Sequence, residues 1–175
     1  MIFTETPLAG SFLIDVEPRK DERGFFARTF CRREFEAHGL ESNLVQGSVS
    51  FNRLQGTLRG IHFQRSPWQE VKLVRCTAGA IYDVIVDLRT DSPTFLEHFA
   101  VELSAANRRT LYVPKDFAHG FQTLADASEV FYQISKPHAD DCARGVRWDD
   151  PAFSIEWPIG SPILSERDRG HPLWV

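Results

Sequence analysis

The segment AIYDVIVDL (Ala80 to Leu88) alternates as an extended chain does, with Ile81, Asp83, Ile85 and Asp87 on one face and Tyr82, Val84 and Val86 on the other. Apolar residues on both faces indicate a strand covered from both sides. Working outward, the same kind of short run recurs. Phe12 to Val16, Asn43 to Phe51, Thr57 to Phe63 and Glu70 to Arg75 read as strands. His98 to Leu103 with Thr110 to Val113, and Ala118 to Leu124 with Glu129 to Ile134, read as two hairpins. Arg32 to Leu40, closed by Gly39, is a helix of one or two turns and the largest expected. Beyond Lys136-Pro137 the chain turns polar and loop-like, and Trp148, Trp157 and Pro158 suggest a tail packed across the body. Eight to ten such strands fit an all-β sandwich or a double-stranded β-helix barrel of the jelly-roll type with a few short helices.

A chain of 175 residues with no repeat, low-complexity tract or linker is expected to form a single domain over 1–175. A net charge of −4 with scattered Lys and Arg argues against nucleic acid, so any anion site must be local. Cys31, Cys76 and Cys142 are odd in number and far apart, which fits a reducing cytoplasm better than a disulfide framework or zinc knuckle. The N-terminal MIFTETPLAG has no signal-peptide pattern, and no apolar run reaches the length of about 18 residues expected of a membrane span. A soluble protein is expected.

GTLRGIHFQRSPWQEVK (Gly56 to Lys72) sets Arg59, His62 and Lys72 in two strands joined by a Ser-Pro-Trp turn. Fixed cations beside one titratable imidazole suit an anionic substrate that must lose a proton. Taken singly, each residue also has a plainer place: His62 between Ile61 and Phe63 as a packed imidazole, Arg59 and Lys72 as solvated cations. Strict alternation puts Arg59 and His62 on opposite faces, so both meet one ligand only if the strand is distorted, and Gly60 is where a bulge is expected. Asp83, inside an apolar strand, must find a buried partner, either His62 or another group.

Six blocks carry a wider pattern: DERGFF (Asp21 to Phe26), GTLRGIHFQ (Gly56 to Gln64), VKLVRCTAGAIYDVIVDLR (Val71 to Arg89), YVPKDFAHGFQTL (Tyr112 to Leu124), VRWDDPAFSIEWP (Val146 to Pro158) and LSERD (Leu164 to Asp168). In order and spacing they resemble the dTDP-4-dehydrorhamnose 3,5-epimerase family across nearly the whole chain. The resemblance implies a cupin-like jelly-roll barrel, commonly a homodimer. It also implies action on a nucleotide-linked 4-keto-6-deoxyhexose in deoxysugar biosynthesis, for polysaccharide or a related glycoside, without a metal or organic cofactor. It places the general base at His62, its orienting carboxylate at Asp168, a lysine near the sugar C4 oxygen at Lys72 and a proton-donating tyrosine at Tyr132. Phosphate contacts fall on Arg23 and Arg59, and a histidine lining the site on His119. Phe26, Arg28, Gln46, Ser48 and His138 complete the substrate-binding set.

The sequence departs from the family at the nucleotide end. Arg28 stands where glutamate is common, Ser48 where asparagine is common, His138 where a tyrosine stacks on the base, and Ala143 where glutamate is common. These changes bear on binding more than on proton transfer. Two other readings compete: a metal-dependent cupin, disfavoured because His62 has no HxH neighbour, and a sugar-nucleotide-binding barrel without turnover. Inversion at C3 or C5 alone, on another nucleotide, is the enzymatic alternative.

Overall fold

The computed structural model describes all 175 residues, Met1–Val175. In it β8 (Ala80–Asp87) is an interior strand, flanked by β9 (His98–Ser104) on one side and β11 (Phe117–Thr123) on the other. With β6 (Leu58–Gln64) beyond β11 and β13 (Ala143–Gly145) at the edge, they form a five-stranded antiparallel sheet. The facing sheet has six strands. In order across it they are β1 (Ile2–Glu5), β2 (Phe12–Asp15), β10 (Thr110–Val113), β7 (Lys72–Ala78), β12 (Ser128–Ile134) and β5 (Gln46–Asn52). Strands β3 (Arg19–Asp21) and β4 (Gly24–Phe26) make a separate exposed hairpin, and the two helices α1 (Arg32–Ala37) and α2 (Glu166–Arg169) are short. This is a cupin-like jelly roll.

Both faces of β8 are buried, as its alternation requires. Ile81 and Ile85 enter the core between the sheets with Val74, Leu111, Phe121 and Val130. Val86 points to the opposite face, where Ile61, Ala118, Val146 and Phe153 are covered by Trp157 and Trp174. Each fully buried side chain of this kind stabilises the fold by roughly 1.5–3 kcal/mol. Helix α1 is too short to persist alone and holds to the outer face of the six-stranded sheet through Phe35, packed with Ile14, Val71, Leu73 and Tyr112.

The two expected hairpins are not hairpins. β9 and β10 lie in different sheets, as do β11 and β12. Their connections instead cross the gap of about 10 Å between the layers: β9 pairs back onto β8, whereas β10, β11 and β12 pair with strands distant in sequence. Short loops at both crossings suffice, and Arg108 and Ala127 adopt positive φ there to turn the chain.

The tail positions the site. Gln122 clamps it in both directions, its Nε2 donating to the Ile159 carbonyl (2.8 Å) and its Oε1 accepting from the Ile159 N–H (2.9 Å). Ile163 bridges alongside Thr57 and Leu58 at the start of β6, and α2 begins three residues later.

One loop gives a pH-dependent prediction. Burial alone would raise the carboxyl of Asp87, but the Arg89 guanidinium and N–H and the Ser92 and Thr94 hydroxyls bind it and lower its pKa to about 2. A carboxyl depressed in the folded state stabilises it fully above the unfolded value of 3.8, and that contribution is lost as pH falls toward 2. It is worth about 2 kcal/mol. The urea midpoint of Asp87→Asn should lie below that of the unsubstituted protein at pH 6, with the gap narrowing as pH falls from 4 to 2. A gap independent of pH would contradict the assignment.

Candidate active site

The bulge expected at Gly60 is present. His62 pairs with His119 and Arg59 with Phe121, so three steps along β6 oppose two along β11. Gly60 has φ +136°, and a Cβ there would come within 2.6 Å of the Gly120 Cα. The slip turns Arg59 and His62 into the same cavity, of about 330 Å³, between the two sheets. The Arg59 Nε donates to the Asn52 side-chain oxygen at 2.7 Å.

The His62 Nε2 lies 2.6 Å from the Asp168 Oδ1. Asp168 is carried by α2, whose first turn is capped by the Ser165 hydroxyl accepting from the Asp168 N–H at 3.0 Å. The aspartate side chain is 8% exposed and the imidazole 40%, so the pair is anchored on one side and open to the cavity on the other. Burial alone would raise the Asp168 carboxyl. Hydrogen bonding and charge from His62, the Ser165 contact and the charge of His171 outweigh burial and hold the group below the ordinary carboxylate value. An ionised Asp168 only accepts, so the Nε2 of His62 donates and the neutral ring keeps Nδ1 as its basic nitrogen.

Across the cavity, the six-stranded sheet presents Tyr132, Lys72, Gln46 and Ser48. Burial first, then the charge of Asp83, raise the Tyr132 phenol well above its ordinary value against the opposing effect of Arg59, which keeps the hydroxyl protonated. The Lys72 Nζ is 3.0 Å from the Glu70 Oε1, and both side chains are nearly enclosed. Asp83 finds its partner in His119 rather than His62, at 2.8 Å from Nε2. Burial raises the Asp83 carboxyl, partly offset by His119 and Lys72. The His119 ring meets the Tyr132 ring edge-on with centroids 5.9 Å apart.

At the rim, the His138 N–H donates to the Gln46 side chain (3.2 Å), and its imidazole faces Asp140. The cavity therefore gathers His62, Asp168, Tyr132, Lys72, Arg59, Gln46, Ser48, His119 and His138. It does not gather Arg23, Phe26 or Arg28. These lie on or beside the β3–β4 hairpin, where Arg23 pairs with Asp21, Arg28 pairs with Glu34 and Phe26 is 75% exposed.

Sequence reading missed Glu70, Lys136, Arg144 and Arg167, all of which line the cavity. Glu70 was within reach, because a residue two positions before Lys72 in an extended segment shares its face. Five cations (Arg59, Lys72, Lys136, Arg144, Arg167) face two carboxylates (Glu70, Asp168), a balance suited to an anionic ligand. His171 was missed as well. Its Nε2 lies 3.5 Å from the Asp168 Oδ1, and the ligand atoms of His62, Asp168 and His171 all fall within 4.8 Å of one another, close enough to hold a metal ion.

A family model for dTDP-4-dehydrorhamnose 3,5-epimerase matches residues 5–175. The dTDP-4-dehydrorhamnose 3,5-epimerase of Methanothermobacter thermautotrophicus is 43% identical over 170 residues, covering 95% of this chain and 91% of that protein. The crystal structure of the Bacillus anthracis dTDP-4-dehydrorhamnose 3,5-epimerase with TDP and PPi bound superposes with a TM-score of 0.96 at 43% identity, over 99% of both chains. ChmJ, a 3'-monoepimerase from Streptomyces bikiniensis solved in complex with dTDP-quinovose, superposes with a TM-score of 0.88 at 30% identity, over 96% of this chain and 85% of that one.

Proposed function

The chain belongs to the dTDP-4-dehydrorhamnose 3,5-epimerase family, and on that premise we propose how its cavity carries out the reaction. The protein is an isomerase that epimerises a nucleotide-linked 4-keto-6-deoxyhexose by proton abstraction next to the ketone. A carbon-bound proton beside a carbonyl is weakly acidic, so its removal needs a base of near-neutral pKa and a cation for the charge that moves onto oxygen. His62 is the base, held in one tautomer and orientation by Asp168. Lys72 stabilises the enolate oxygen, and Tyr132 returns a proton to the opposite face of the carbon. Arg59 binds the phosphates, with Lys136, Arg144 and Arg167 adding positive potential. His119, fixed by Asp83, lines the sugar pocket. The observation that carries this reading is the placement of the His62–Asp168 pair and Tyr132 on opposing sheets, since inversion requires a base and an acid on opposite faces of one carbon.

The test is the product. Incubated with dTDP-4-keto-6-deoxyglucose, the protein is expected to invert C3 and C5, read from ring-proton couplings by NMR. Ser48, His138 and Ala143 border the cavity at positions where the family differs, and ChmJ is similar over most of the chain, so inversion at one carbon is the second reading. Inversion at neither carbon, with uridine and other analogues equally inert, would overturn the proposal.

We also propose a homodimer of single-domain subunits in a reducing cytoplasm, where three free cysteines are expected. β5 is an edge strand, and Val49 and Phe51 on it are 58% and 54% exposed, joined by exposed Val45 and Leu54. Edges of this kind are normally covered. In such a dimer the hairpin carrying Arg23 and Phe26, with Arg28 just beyond it, serves the neighbour's cavity. Phe51→Asp is expected to convert a dimer into a monomer by light scattering and to raise KM. A wild-type monomer, or an unchanged dimer in the variant, would contradict it.

A further inference from the structure

We propose that His62, Asp168 and His171 form a binding site for a divalent transition-metal ion of the zinc type, and that the bound ion inhibits the enzyme. The binding half stands on geometry alone. The inhibitory half rests on the reading of His62 as the base.

Helix α2 and the residues after it present Asp168 and His171 to the same point. The buried Nε2 of His171 has no hydrogen-bond partner, although it sits 3.5 Å from the Asp168 Oδ1. The His171 ring stands edge-on to the His62 ring, centroids 5.5 Å apart at 77°. It can do so because position 145, paired with His62 across β13 and β6, is glycine, and a Cβ there would collide with the imidazole. Bonds of about 2.0–2.2 Å to a tetrahedral zinc separate its ligand atoms by about 3.3 Å. The 3.5 Å spacing of His171 and Asp168 already matches; the 2.6 Å spacing of His62 and Asp168 must open, and the two imidazoles, whose ligand atoms lie within 4.8 Å, must settle at the same separation, both by side-chain rotation. Two imidazoles and one carboxylate suit zinc and neighbouring transition ions better than magnesium or calcium, which take all-oxygen shells. His62 and Asp168 also line the cavity, so an ion they hold borders it.

A neutral imidazole carries one N–H. In the free enzyme it lies on the His62 Nε2 and points to Asp168. An ion bound at Nε2 replaces that proton, which relocates to the lone pair of Nδ1 by exchange with water, with no net release. The ring then has no free nitrogen with which to accept a proton from the substrate carbon.

The experiment is equilibrium dialysis of the EDTA-treated, full-length protein against Zn2+, with metal quantified for wild type, His171→Gln and His138→Gln. Loss of even an outer partner of a metal ligand costs roughly 10–100-fold in affinity, so His171→Gln is expected to weaken binding at least about tenfold. His138→Gln, which alters the rim pair with Asp140, should leave it unchanged. Epimerisation, expressed for each protein relative to its own zinc-free rate, should fall with added zinc, recover with EDTA, and be less sensitive in His171→Gln by the same factor. Co2+ added to wild type should give the visible bands of nitrogen and oxygen ligation.

No retained zinc in an active enzyme, equal retention by His171→Gln, or a thiolate charge-transfer band from a cysteine site would each overturn the metal site while leaving the proposed function intact. Zinc held through His171 with undiminished epimerisation would instead overturn the inhibition, and with it His62 as the base.

Discussion

His62→Ala is expected to lower kcat by about 10³-fold, within the roughly 10²–10⁴-fold range of a positioned general base. The imidazole is the cavity-facing member of the pair with Asp168, and the aspartate, buried at the start of α2, cannot replace it. The fold should survive the change, because the bulge at Gly60 and the Ser165 cap that place the pair are built without the imidazole. Binding should change less than turnover, since Arg59 and the other cations are untouched. The measurement is kcat and KM by NMR or coupled assay, with thermal unfolding as the fold control. A loss under about tenfold in a folded variant would contradict the assignment of His62 as the base.

Tyr132→Phe is expected to lower inversion by about 10²-fold while leaving solvent exchange of the substrate's α-proton largely in place. The two processes separate because His62 still removes and returns a proton on its own face, whereas the opposite face has lost its donor. Phenylalanine keeps the edge-on ring contact with His119, so the loss reports the hydroxyl rather than the packing. The raised phenol pKa adds a second expectation for the wild type: Tyr132 stays protonated through neutral and mildly alkaline pH, so turnover should show no alkaline decline from this group below the ordinary phenol value of 10.0. Equal loss of exchange and inversion in Tyr132→Phe would place the tyrosine in the same step as the base.

Some of this site could be read from the chain and some could not. The two-sided alternation of residues 80–88 specifies a covered strand, and the conflict between Arg59 and His62 on one strand pointed to the bulge at Gly60, because both arguments are local. Pairing between sheets is not local. β9–β10 and β11–β12 look like hairpins in sequence, yet each crosses to the facing layer, because short connections fit either a turn within a sheet or a step between sheets. Asp168 meets His62 across 106 residues, and nothing in its polar surroundings marks it. Only the resemblance placed it. The same resemblance gives Arg23, Phe26 and Arg28 binding roles, whereas within one chain they stand on or beside an exposed hairpin away from the cavity. The meaning of His171 depends on the turn of α2 and on the absence of a side chain at position 145, neither of which can be read until the tail is laid on β6.

In the reaction assigned to His62 and Tyr132, a carbon-bound proton beside the ketone leaves to a base that exchanges with solvent and is replaced on the other face. Its most direct test is turnover of dTDP-4-keto-6-deoxyglucose in D2O, with deuterium located by NMR in the product. Deuterium is expected at every carbon that inverts, and none at C1 or C2. Inversion with the original proton retained at the inverted carbon would mean that the hydrogen never reached a solvent-exchanging group, and would contradict the mechanism built on His62 and Tyr132.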